Sequence, residues 1–133
     1  MLNRRDLIAL AATSFGATVV VASDERLAAA DPTMSLNVVY LNSDGAQFDT
    51  GYYRSTHIPL AMKVMAATSV VLIEGVPNGA SAAPIAMIAH FQFASSEALQ
   101  KALANPAMAE VRADVPRFTD IRPTVMIGKT TSR

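Results

Sequence analysis

The chain has 133 residues, 51% hydrophobic, with 11 Lys and Arg against 11 Asp and Glu. That length allows one domain beside a leader. The balanced charge, with no basic or acidic run, gives nothing for a nucleic acid or a polyanion to bind. Cysteine is absent, which excludes disulfides, thiol catalysis and thiolate metal sites together.

The first thirty residues are set apart. Asn3-Arg4-Arg5-Asp6-Leu7 is short and charged, and Leu7 to Ala22 is apolar and rich in small residues. Ser23 to Arg26 is polar and precedes Ala28-Ala29-Ala30. Charged region, apolar region and small-residue cleavage site follow in the order of an export signal. The paired arginines give it a twin-arginine character, although Asn3 and Leu7 depart from the usual motif. Thr13, Ser14, Gly16 and Thr18 interrupt the apolar run, so it predicts no stable membrane anchor. The expected domains are therefore 1–30, an export signal, and 31–133, a folded domain that is periplasmic or secreted after cleavage near Ala30.

Leu36 to Leu41 is rich in β-branched and aromatic residues and ends at Asn42-Ser43-Asp44-Gly45, a strand followed by a turn. Asp49 then predicts a helix N-cap. Phe48 before it stands at staple spacing from Tyr53. Tyr53, His57, Leu60 and Val64 recur at intervals of three or four and share a face of a helix reaching about Ala67. Pro59 lies inside that helix and predicts a kink or break.

Ser69 to Val76 is a second strand, and Pro77-Asn78-Gly79 opens a loop. Pro84 to Phe93 is a third strand. Ser95 caps a helix through about Leu103, which Asn105-Pro106 interrupts. A short helix from Pro106 to about Ala113 leads to Pro116. Asp120 to Gly128 is the last strand, with Pro123 pointing to a sheet edge or a bulge.

The order strand, helix, strand, strand, helix, strand predicts an α+β, ferredoxin-like βαββαβ fold on a four-stranded antiparallel sheet. Two helices cover one face of such a sheet. Yet Ile85, Met87, Ala89, Phe91 and Phe93 alternate with Ala86, Ile88, His90 and Gln92, so neither face is cleanly polar. A second copy laid on the bare face accounts for that, and a homodimer is expected.

Candidate chemistry concentrates at Phe48 to Leu60, FDTGYYRSTHIPL, with one of the two histidines and two of the three tyrosines. His57 titrates near neutrality and suits proton transfer to or from carbon or oxygen. Tyr53, one turn earlier, is positioned to donate to a developing oxyanion. Against this, His57 serves equally well as a buried structural donor, and Tyr52 and Tyr53 as packing. His90, mid-strand and pointing away from the helices, lines a pocket or makes a buried interface hydrogen bond. Phe118 is core by default. No glycine-rich phosphate loop follows a strand, no histidine pair has metal spacing, and no serine stands in a nucleophile elbow. No cofactor and no metal are expected.

Three stretches carry a family resemblance: VVYLNSDGAQFDTGYYRSTHIPLA, AMIAHFQFASSEALQKAL and DVPRFTDIRPTVMIG. Phe48, Tyr52, Tyr53, His57, Pro59 and Leu60 stand in a Phe-x-x-x-Tyr-Tyr-x-x-x-His-x-Pro-Leu arrangement. Phe118, Thr119 and Asp120 follow in the third. The chain resembles the EthD family, named for ethyl tert-butyl ether degradation, of the dimeric α/β-barrel superfamily. The resemblance implies a dimeric barrel and a pocket between sheet and helices. It also implies an oxidoreductase or reductase label inherited with the name. Related barrels include lactone isomerases, polyketide cyclases, cofactor-free monooxygenases and haem-binding enzymes, so shared architecture does not choose a reaction. In the lactone isomerases a histidine at the place of His57 transfers protons. The expectation is an enzyme acting on a small hydrophobic or aromatic molecule, with His57 and Tyr53 catalytic and Tyr52, His90 and Phe118 binding. The alternatives are an isomerase or cyclase without cofactor, and a binding dimer without catalysis.

Overall fold

The computed structural model describes residues 33–132; the predicted export signal and its cleavage point lie outside them. The elements run β1 (Thr33–Leu41), α1 (Thr50–Tyr52), a π-helical turn (Tyr53–His57), α2 (Ile58–Met65), β2 (Ser69–Glu74) and β3 (Ile85–Phe93). They continue with α3 (Ser96–Ala104), α4 (Met108–Asp114), a 3₁₀ turn (Val115–Arg117) and β4 (Thr124–Thr130). The sheet has the order β2-β3-β1-β4, and every pairing is antiparallel. This is the α+β, ferredoxin-like arrangement. Among the described residues no helix is long and apolar enough to cross a membrane.

Strand alternation sorts the sheet into two faces. Leu36 pairs with Phe91 and Tyr40 with Met87, and all four side chains are buried under the helices. Each such aliphatic or aromatic side chain contributes roughly 1.5–3 kcal/mol by leaving water. The other face carries the row Val71, His90, Asn37 and Met126, one residue from each strand. There Leu41, Val71, Ile73 and Met126 are half exposed or more. β4 stands at an edge directly after Pro123, so the missing amide of the proline costs the ladder nothing.

Helix ends follow local chemistry. The Ser95 hydroxyl accepts the Ala98 amide at 3.1 Å and starts α3. Asn105 leaves the helical conformation ahead of Pro106. Its side chain donates to the Val64 carbonyl at 3.0 Å and accepts the Ala107 amide at 3.0 Å, tying the two halves of the helical layer together.

Of the kink or break expected at Pro59, the break does not occur. Helical backbone runs without interruption from Thr50 to Met65. Pro59 has no amide hydrogen and its ring crowds the carbonyl one turn back. The chain absorbs this by widening one turn, so that the Ile58 amide donates to the Tyr53 carbonyl. The proline therefore shapes the helix where His57 sits and does not end it. The helix stops at Ala66, which takes a left-handed φ of 51°.

Candidate active site

The site begins with how α1 is anchored. The Asp49 carboxylate accepts the Tyr52 amide at 3.0 Å, capping the helix, while the Asp49 amide donates to the Phe118 carbonyl at 2.7 Å. The Thr119 hydroxyl donates to the Gln47 carbonyl, and the Gln47 amide to Asp120 Oδ1 at 2.9 Å. The loop entering α1 is thus stitched to the segment leaving α4. Phe48 packs edge-on against Tyr53 with centroids 5.0 Å apart, as its staple spacing predicts. Tyr40, Phe48, Tyr53 and Phe118 make one aromatic cluster.

His57 projects from the widened turn into this cluster. Its ring stacks on Tyr53 at 5.4 Å and tilts against Phe118 at 4.5 Å. Only 4% of the residue is exposed. Nδ1 lies 2.9 Å from Asp114 Oδ2. The other oxygen of Asp114 accepts the Tyr52 hydroxyl at 2.7 Å. Arg117 approaches that oxygen at 3.8 Å from a largely exposed position, where solvent screens its effect.

The electrostatics of the pair have a clear sense. Burial lowers the pKa of His57, and the Asp114 carboxylate opposes this only in part. Burial pushes Asp114 up, but hydrogen bonds from His57 and Tyr52, helped by the Arg117 charge, outweigh it, and the net shift is down. At neutral pH the pair is therefore a neutral imidazole beside a carboxylate. A carboxylate only accepts, so Nδ1 carries the ring's proton and donates it to Asp114. Nε2 is left with a lone pair. It has no hydrogen-bond partner among the described residues, and it is not sealed from solvent.

His57 lines a cavity of about 220 Å³ between the sheet and the helices, in company with Tyr40, Tyr53, Leu36, Phe91 and Met108. Its walls are mainly apolar. The cavity belongs to the helix-covered face of a single chain, so these walls come from that chain alone and not from a second copy over the open face. Burial raises the phenol of Tyr40 to about 12, an effect that a hydrogen bond from Tyr53 partly offsets. Tyr53 is pushed up further, by burial first and then by Tyr40. Both stay protonated at neutral pH.

The predicted site residues are thus distributed unevenly. His57 and Tyr53 meet in the cavity. Tyr52 does not line it and reaches Asp114 instead. Phe118 supports the imidazole from the side. His90 lies on the opposite face of the sheet, where Nδ1 is 2.6 Å from Asn37 Oδ1 and Nε2 is 3.4 Å from the Gln92 amide nitrogen. Asp114 and Tyr40 were missed by sequence reasoning. Asp114 did leave a signal: it ends α4, where the helix dipole disfavours a carboxylate. Among the described residues no group of three or more His, Cys, Asp or Glu is arranged to hold a metal ion.

Comparison with known proteins agrees with this architecture. Residues 44–122 match the EthD domain, a span that contains Tyr52, Tyr53, His57 and Asp114. An EthD-like protein from Ralstonia eutropha superposes with a TM-score of 0.67 at 24% identity, over 74% of this chain and 91% of that one. An ethyl tert-butyl ether degradation family protein from Bacillus halodurans gives 0.60 at 19% identity, over 74% and 99%. A protein from Arabidopsis thaliana gives 0.55 at 18% identity, over 75% and 97%. No curated protein matches. The matched domain covers most of the described fold, and the chain belongs to the EthD family.

Proposed function

We propose that the cavity is the active site of an enzyme that moves a proton on a small apolar or aromatic molecule. His57 acts through Nε2 as the base. The observation that carries this reading is the His57–Asp114 pair at 2.9 Å, on an imidazole that lines an apolar cavity and whose other nitrogen has no partner among the described residues. His90, by contrast, has partners for both nitrogens. Asp114 is a positioning residue: it fixes the tautomer and stabilises the imidazolium that forms on proton uptake.

The step balances without a co-reactant. Nε2 takes a proton from a carbon next to a carbonyl, the C–H electron pair moves into an enolate, and the imidazolium returns the proton at the same or another carbon. Tyr40, protonated and on the cavity wall, offers an O–H donor where oxyanion charge develops, and Tyr53 beside it orients that hydroxyl. Isomerase or cyclase chemistry follows directly from that step, and the reductase label of the family is not needed to explain these residues.

The half-exposed apolar side chains of the open face support a second copy of the chain as its cover. A dimer in sedimentation equilibrium is the expected result, and a monomer at micromolar concentration contradicts it.

The catalytic reading is tested in deuterium oxide with a panel of monocyclic aryl ketones, acetophenone first. Protein-dependent deuterium uptake next to the carbonyl is expected. His57→Ala should lower it on the order of 10²–10⁴-fold while the fold is kept. Uptake at the wild-type rate in that variant removes His57 from the mechanism.

A further inference from the structure

The cavity that holds His57 is small. An apolar cavity of about 150 Å³ accommodates benzene, and this one is about 220 Å³. It takes a single six-membered ring with a small substituent, and its mainly apolar walls leave a charged group on a ligand to lie outside. Outside is a wider cleft of about 670 Å³ that shares Arg112, Val115, Pro123 and Val125 with the cavity. The shared residues make the cleft the cavity's mouth.

Two arginines line this mouth, Arg112 from α4 and Arg122 from the segment before β4. Neither has a carboxylate partner within 4.0 Å among the described residues. The mouth also holds Asp120, whose Oδ1 is engaged by the Gln47 amide. Arg112 stands in the last turn of α4, where a cation suits the helix dipole. Helix stabilisation alone would explain Arg112, but Arg122 belongs to no helix. Guanidinium groups favour planar anions that accept two parallel hydrogen bonds.

Building on the proton-transfer reading, we infer that this site takes a monocyclic carboxylic acid. The ring lies in the cavity against His57, and the carboxylate lies at the mouth on Arg112 and Arg122. The arrangement keeps the anion away from the Asp114 carboxylate while presenting a ring carbon or its first substituent to Nε2.

The test is calorimetric titration of the purified protein with benzoate and with benzamide, which matches it in ring and size without the charge. Benzoate should bind roughly tenfold more tightly, as one or two charge-assisted hydrogen bonds imply. Raising the salt concentration should shrink the difference. In the Arg112→Gln, Arg122→Gln double variant the two probes should bind alike, with benzamide unaffected. His57→Gln should keep the preference. Equal affinities in the wild-type protein overturn the inference, as does failure of both probes to bind. A preference that survives the double arginine substitution overturns it too, and so does one lost in His57→Gln. If the preference is present and arginine-dependent but no deuterium uptake occurs, the carboxylate site stands and the base role of His57 falls.

Discussion

The chain has two histidines, and they sit on opposite faces of one sheet. His57 has one nitrogen on a carboxylate and the other without a partner among the described residues, on a ring that lines an apolar cavity. His90 is held on both sides by neutral groups in a chain of hydrogen bonds. Ser69 donates to Gln92 Oε1 at 2.9 Å and the Gln92 amide donates to His90 Nε2. His90 Nδ1 then donates to Asn37, and Asn37 donates to Ser35 at 3.0 Å. Gly128 makes room for its end, because a side chain there would meet Ser35 Oγ at 2.6 Å. The same residue type is thus spent in one place on a lone pair ready for a proton and in the other on a closed polar network. Burial does not separate the two roles. What separates them is whether a nitrogen is left over, and whether the partner is charged.

The largest break in that contrast should come from Asp114→Asn. An amide can donate to Nδ1, which moves the ring proton to Nε2 and removes the base without removing the histidine. A loss on the order of 10²-fold or more in deuterium uptake is expected. The nitrogen chemical shifts of His57 should report the exchanged tautomer. A variant with full activity, or with the tautomer unchanged, denies Asp114 its positioning role.

A smaller effect, of a different kind, should follow from His90→Leu. It strands the Asn37 carbonyl oxygen and the Gln92 amide, at a cost on the order of 1–3 kcal/mol. Urea unfolding should show that loss while deuterium uptake stays at the wild-type rate. A large fall in uptake with little change in stability would erase the distinction between the two histidines.

Much of this was legible in the sequence. The strand alternation of Ile85 to Phe93, the Ser95 and Asp49 caps, the Phe48 staple and the edge position signalled by Pro123 all appear where local chemistry put them. The route of the helix past Pro59 was not, because a proline states that a hydrogen bond is lost and does not state how the turn adjusts. Asp114 was hidden for another reason. It is 57 residues from His57, and only the packing of α4 against the widened turn brings them together. Its place at the wrong end of a helix dipole was the one local sign. The separation of His90 from the cavity was half visible: alternation put it on the far face, but did not say that its neighbours satisfied both nitrogens.

The proposed base works only if His57 is neutral at pH 7 with its proton on Nδ1 and its lone pair on Nε2. Nitrogen-detected NMR of the histidine side chains across a pH series tests this directly. Because burial lowers the folded pKa, the ring should stay neutral on descending to 6.5 and take its second proton only below that. Deuterium uptake should be lost over that same acid range. The part of the folding stability that depends on keeping the ring neutral is fully present above about 6.5. It too is lost as the pH falls through the folded value. A His57 that is already charged at pH 7, or that carries its proton on Nε2, is not the base.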